Sequence, residues 1–472
     1  MSTSATGRRS TSRDRPPRDG LAVAGVVLVA LAAGLIVVAG AVGAAPEERG
    51  RASAEKVERV DVACAAFPGL GAGARWTLAP DLEGSRKGGS LEAGPLGGEL
   101  APVDGAPGAL TEVEVEREPG AQVSAEGPAA YGRTTHQVDD ARSGAALAVQ
   151  ECGQPRSRWW FTGAAAGLDH SSSLVVANLD PGPAVVDIEV LGADQDDEAQ
   201  ATRGLTVQPG EVRTIDLLEV APQAEELAVH VEASRGRVVA AIADELATSP
   251  AAAAGVEWIP AQPEASRVLR LAPLPKRADR RTLVVANPSD REALVGVELA
   301  GPGGTFTPEA LPQLRVPPGA VVTADVEDVV GRESAGIVLR SSVRITGTVR
   351  STRGQDVAYA VAAPALSGPS AATVPDRTRP TVQLTAADPG GRAEVTAHAA
   401  DGEEVDAQTL DLEPGATVTW EPKGDAAYLV VTPGKGRVWG GVSLAGARGL
   451  SQVPLKSLPT VLRRPVVVPA LR

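Results

Sequence analysis

Aromatic residues are scarce in this chain, with three Phe, three Tyr and six Trp among 472 positions. Any packed core must therefore be built from Val, Leu, Ile and Ala. Histidine is scarcer still: His136, His170, His230 and His398 lie in separate stretches, and no H-E-x-x-H or C-x-x-C spacing occurs. Those absences argue against a zinc centre. A G-x-S-x-G elbow is also missing, since Gly441-Val442-Ser443-Leu444-Ala445-Gly446 has the wrong spacing. A basic excess is absent as well, the formal charge being −14. Lysine is rare, six against 39 Arg, which reads as a coding bias.

What is present first concerns location. Residues 1–20 carry five arginines and two aspartates, and residues 21–45 then run for 25 positions without a charge. As a helix that run spans about 37 Å, enough to cross a ~30 Å hydrocarbon core with tilt. Arginines ahead of it predict a cytoplasmic N-terminus and an extracytoplasmic remainder. Ala39-Gly40-Ala41 offers the alternative of a cleaved signal, though the apolar run is long for one. With the tail's five arginines and two aspartates set aside, the rest carries −17, which argues against nucleic acid or anionic lipid as a partner through a basic face. Cys64 and Cys152 both lie beyond the apolar run, where thiols oxidise, and a single structural disulfide is expected.

A duplication dominates the outer part. Leu-Val-Val-Ala-Asn occurs at 174–178 and at 283–287, and the 109-residue offset also carries Val186 to Val295, Pro209-Gly210 to Pro318-Gly319 and Asp216 to Asp325. A third, eroded copy has Asp388-Pro389-Gly390, Leu410 and Pro414-Gly415. Repetition at this period signals an array of similar modules. Within each copy Val186, Ile188 and Val190, or Val295, Val297 and Leu299, alternate with smaller or polar residues. That period of two means antiparallel strands packed on one side, and each Pro-Gly marks a turn. The expected fold is all-β: tandem immunoglobulin-like sandwiches after one transmembrane helix. The expected segments are a basic tail (1–20), an anchor (21–45), a stalk (46–58), a loop-rich β domain (59–155) and repeats at 156–262, 263–366 and 367–472. The first domain reads as unlike the repeats. A hydrophobic end at 464–471 looks like the lead-in to a further copy and predicts a closing strand.

The anchor, the cysteine ahead of Arg158-Trp159-Trp160-Phe161, Leu-Val-Val-Ala-Asn and the following Pro-Gly together resemble an uncharacterised family of membrane-anchored actinobacterial envelope proteins, a domain-of-unknown-function family. The resemblance implies envelope location and β architecture, and brings no catalytic residue.

Residues with possible chemistry are few. Asp169-His170-Ser171 holds triad residue types, but consecutive positions do not converge as a triad requires. Asp194, Asp196, Asp197 and Glu198 form an acidic loop that is a weak calcium candidate and more simply a solvated connection. Adjacent Trp159 and Trp160 should face opposite sides of a strand, one in the core and the other available to a glycan or a domain interface. The expectation is a non-catalytic, membrane-anchored scaffold or partner-binding array without cofactor, whose partner is another envelope protein or a glycan. The alternatives are a polysaccharide-assembly accessory and a hydrolase with an unrecognised site.

Overall fold

A computed structural model describes residues 54–56, 59–68, 75–79, 90–104, 108–113, 120–126, 133–139, 147–192, 202–247, 255–262, 264–311, 313–331, 336–447, 449–457 and 461–463. The expected anchor at 21–45, the acidic loop at 194–198 and the tail at 464–472 lie outside them. Among the described residues the chain is almost wholly β, with two one-turn helices, Leu217–Val220 and Glu327–Val330. No helix among them is long and apolar enough to cross a membrane.

The chain divides into two compact units, 1–56 with 461–472, and 57–460. In the first unit, Ala54–Lys56 pairs antiparallel with Val461–Arg463. Part of the expected stalk is thus a strand, and its partner immediately precedes the expected closing segment.

The second unit is built from four modules of one design. In the module at 156–262, one sheet has Arg158–Ala164, Leu227–Arg235, Ala184–Leu191 and Thr202–Val207 side by side. The other has Val212–Asp216, His170–Ala177, Val239–Leu246 and Gly255–Ile259. Counting strands along the chain, the sheet orders are 1-6-3-4 and 5-2-7-8. The modules at 263–366 and 367–457 repeat both orders, with consecutive strands fused into long ones: Gly336–Arg353 serves both sheets of the third module, and Arg379–His398 and Tyr428–Ala445 both sheets of the fourth. The region at 59–155 has the same two orders, so the domain expected to differ is a fourth copy. Its glycine- and proline-rich middle hides that kinship, because it interrupts the alternating pattern by which strands are read from sequence.

Period-two alternation does what it should. Val186, Ile188 and Val190 face Leu174, Val176, Ala240 and Ile242 of the opposite sheet, all buried. The same layer recurs as Val295, Val297 and Leu299 with Leu283 and Val285, and as Val395 and Ala397 with Val382 and Leu384.

The Asn that ends the repeated pentapeptide is a latch. Asn178 is fully buried; its Nδ2 donates to Gly182 O and Val207 O at 2.8 and 2.9 Å, and its Oδ1 accepts from Asp180 N at 2.9 Å. Asn287 repeats this on Arg291 O, Val316 O and Ser289 N. The backbone carbonyl of each accepts from the glycine of the following Pro-Gly, Gly210 or Gly319, at 2.9 Å. In the fourth module Ala386 holds the equivalent place, its carbonyl taking Gly415 N. Asn178→Ala should therefore lower unfolding free energy by about 1–3 kcal/mol, the usual cost of stranding buried backbone partners. Chemical denaturation measures this, and a change indistinguishable from zero would show that the latch is dispensable, as it is at Ala386.

The same turns join the modules. Gly210, Gly319 and Gly415 have φ near +70°, and Gly108, which follows Pro107, has φ +87°. Each turn receives the loop after the third strand of the preceding module. Gly97 lies against Gly210, so closely that a Cβ on Gly97 would sit 1.9 Å from Gly210 O. Gly192 O accepts from Val321 N, Gly415 lies against Thr305, and Ala400 O accepts from Leu110 N. The last of these returns from the fourth module to the first, so the four modules close into a ring. Their final strands, Leu147–Glu151, Gly255–Ile259, Asp356–Val361 and Leu450–Pro454, are buried in the middle, each packed against two of the others.

Candidate functional site

Each final strand is the free edge of its sheet, and at the ring's centre that edge is buried. Buried backbone donors need partners, and two acids supply them. Glu257 Oε1 accepts from Val149 N at 3.1 Å and from Trp258 N at 2.8 Å. Asp356 Oδ2 accepts from Leu450 N at 2.6 Å and Leu147 N at 3.4 Å. Two side chains thus tie together strands of all four modules. Burial raises Glu257 well above the usual carboxyl range, against lowering by Ser451 and backbone amides. Burial likewise pushes Asp356 up to about 8, although the amides of Leu450, Val357 and Leu147 and the charge of Arg353 oppose it.

A second polar cluster bridges the second and third modules. Asp244, fully buried, accepts from Ser172 Oγ and Tyr359 Oη at 2.5 Å each, and its two oxygens lie 3.0 and 3.1 Å from His170 Nε2. Arg350 forks onto Glu226 at 2.5 and 3.0 Å and approaches His170 Nδ1 at 3.5 Å. Burial lowers the Arg350 pKa, but the Tyr359 hydroxyl, Glu226 and Asp244 outweigh it and hold the guanidinium above its ordinary range. Burial, then the charge of Asp244, raises Tyr359 well above the phenol range. His170 thus has an acid partner, supplied by the distant Asp244 and not by its neighbour Asp169. Ser172, the nearest hydroxyl on that strand, donates to the same carboxylate instead of to the imidazole, so His170 and Ser172 do not form a base–nucleophile pair. The spacing of His170 and Asp244 gave no signal, because they meet only through strand pairing.

Cys64 and Cys152 form the expected disulfide, with Cα atoms 4.5 Å apart. Trp159 lies in its module's core, its Nε1 donating to Val238 O at 2.9 Å. Trp160 points the opposite way, as alternation requires, but is also buried: it stacks on His230 with centroids 4.1 Å apart and packs on Val284, Ala286 and Val321 of the next module. Of the two places expected for the outward ring, a glycan contact or a domain interface, Trp160 occupies an interface, because the next module covers it. Among the described residues no cluster of His, Cys, Asp and Glu could hold a metal ion.

Two concavities lie at one end of the final strands. The first is a partly open pocket of about 130 Å³ at the ring's centre, walled by Gln150, Gln262, Gln452, Trp159, Trp258 and the Glu151–Lys456 ion pair. The three glutamines are buried and come from three modules. Among the described residues neither amide atom of Gln452 has a hydrogen-bond partner, nor does Gln262 Nε2 or Gln150 Oε1. The second is an open groove of about 1340 Å³ lined by Arg156, Arg267, Arg270, Arg344, Arg437 and Trp439, among others. The net charge of the chain conceals this basic surface, since a sum over 472 residues does not report where charges lie.

The fold and site together define an all-β, multi-module protein with a polar central pocket and a basic groove. The chain belongs to the family of unknown function DUF5719, which matches residues 109–423. No curated protein matches. A solved structure of Streptomyces avermitilis alpha-L-rhamnosidase complexed with L-rhamnose aligns at 12% identity and TM-score 0.12, over 82% of this chain and 54% of that one. The chain thus spans about half the length of that enzyme, and a likeness this slight supports no argument.

Proposed function

We propose that this protein is a non-catalytic, membrane-anchored, extracytoplasmic binding platform of the cell envelope. On this reading the chain enters the membrane at 21–45 and carries its ring of sandwich modules outside. The modules are immunoglobulin-like in their two-layer architecture, with a strand order of their own. The observation that carries the reading is ring closure: four modules locked through buried acids, with two concavities at one end, make a rigid body whose recognition surfaces combine several modules. The disulfide supports an oxidising compartment. Ser172 and His170, both held by Asp244, favour binding over hydrolysis. Topology tests the location. A phosphatase fused after Arg472 should be active only outside the cytoplasm, and the fusion should stay in the membrane pellet after alkaline carbonate extraction. An inactive fusion, or release by carbonate, would refute the anchored reading.

A further inference from the structure

The arginine groove has too little acid for its charge. Arg158, Arg237 and Arg340 on its walls pair with Glu232, Asp180 and Glu298. Arg156, Arg267, Arg270, Arg344 and Arg437 form no salt bridge among the described residues, and against these five the groove wall adds a single further acid, Glu264, in a protein that is acidic overall. Arg156 lies 5.7 Å from the centre of the Trp159 ring, Arg344 donates to Ala265 O at 3.5 Å, and two more of the five share a single ring. Arg270 lies 4.0 Å from the centre of the Trp439 ring and Arg437 5.0 Å from it, so one buried indole positions two cations from different modules. Burial and the like charges of Arg340 and Arg437 lower Arg270 from its ordinary value. Crowding guanidinium groups with fewer carboxylates than cations costs energy that a bound anion would recover.

The groove does not end blindly. Arg156, Gln262 and Pro364 line both it and the central pocket. The pocket offers unpartnered amide donors and acceptors at Gln150, Gln262 and Gln452. Its volume of about 130 Å³ is several times the roughly 15 Å³ one water needs. Neutral amides of this kind match hydroxyl groups, and the alternating donors and acceptors suit a sugar better than an acyl chain or a carboxylate.

The geometry points to a polyanionic glycan as the ligand, its acidic groups on the groove arginines and a terminal sugar in the glutamine pocket. This inference rests on the binding-platform reading and adds the ligand's chemical class. Because the chain as a whole is negative, recognition is short-ranged and depends on the groove geometry.

The test uses the full-length protein in detergent micelles and an oligogalacturonate probe, with neutral dextran, polyglutamate and phosphatidylglycerol vesicles as comparisons. Oligogalacturonate should bind and dextran should not, with affinity falling at least about tenfold between roughly 50 and 200 mM salt, as release of several counterions requires. Arg267→Glu with Arg344→Glu, which leaves the Trp439 packing intact, should weaken binding about tenfold or more at unchanged melting temperature. Gln452→Leu should weaken it without altering the salt slope. Equal binding of polyglutamate would reassign the groove to an acidic peptide, and equal vesicle binding to a lipid surface; either overturns the proposal. So does oligogalacturonate binding that ignores the arginine substitutions, or no binding at all. These outcomes leave the location test untouched, and a failed location test leaves this binding assay interpretable.

Discussion

Arg350→Ala should cost about 3–5 kcal/mol of unfolding free energy, the usual penalty for removing one partner of a buried ion pair. The side chains of Arg350 and Glu226 are only 12% and 14% exposed, and Asp244 is wholly buried nearby. Removing the guanidinium leaves two acids at the seam between the second and third modules facing only Tyr359, Ser172 and His170. Arg350→Met with Glu226→Gln should be less destabilising than Arg350→Met alone, because the second change removes the stranded charge. Denaturant unfolding of the wild type, Arg350→Met, Glu226→Gln and the double variant forms the cycle that isolates the coupling. If Arg350→Ala lowers stability by less than about 1 kcal/mol, a value typical of exposed pairs, the cluster does not hold the modules together.

The second large effect is an inverted dependence on pH. Asp356 titrates at about 8 in the folded protein against an ordinary 3.8. Between those values the folded chain keeps a proton that the unfolded chain has released, so each rise in pH across the window favours unfolding. Stability from this residue is complete below about pH 4 and is lost progressively up to about pH 8, with a ceiling of about 6 kcal/mol at 1.36 kcal/mol for each pH unit. Glu257 shifts in the same direction and adds to the slope. The melting temperature should therefore decline from mildly acidic to mildly alkaline pH. Asp356→Asn should flatten that decline, since the amide keeps an acceptor for Leu450 N and cannot ionise. A slope unchanged in Asp356→Asn would place the titration elsewhere.

Much was legible in the sequence because it depends on local pattern. Period-two alternation at Val186–Val190 and Val295–Leu299 marked strands with one buried face, and the 109-residue offset marked modules, because equivalent structural positions demand equivalent residues. The cysteine pair and the Pro-Gly turns were readable for the same reason: backbone and redox chemistry restrict which residues serve. The latch role of Asn178 and Asn287 was present as a repeated letter, but its partners, Val207 O and Val316 O, lie 29 residues on. The fourth copy at 59–155 was hidden, since only Pro107-Gly108 and the strand order carry it.

Other features were decided by tertiary structure alone. Trp160 faces away from its own core in either reading; whether it meets solvent or protein depends on how the next module docks. His170 and Asp244 are 74 positions apart and meet through strand pairing, Asp356 and Leu450 are 94 apart and meet through ring closure, and the groove arginines come from separate modules. Burial raises the Asp356 pKa and leaves the arginines crowded, and burial is a property of the assembled ring. The sequence by itself determined the strands and the repeat. Only the closing of four modules on one another determined which carboxyl groups have raised pKa values, which tryptophan is covered and where positive charge collects.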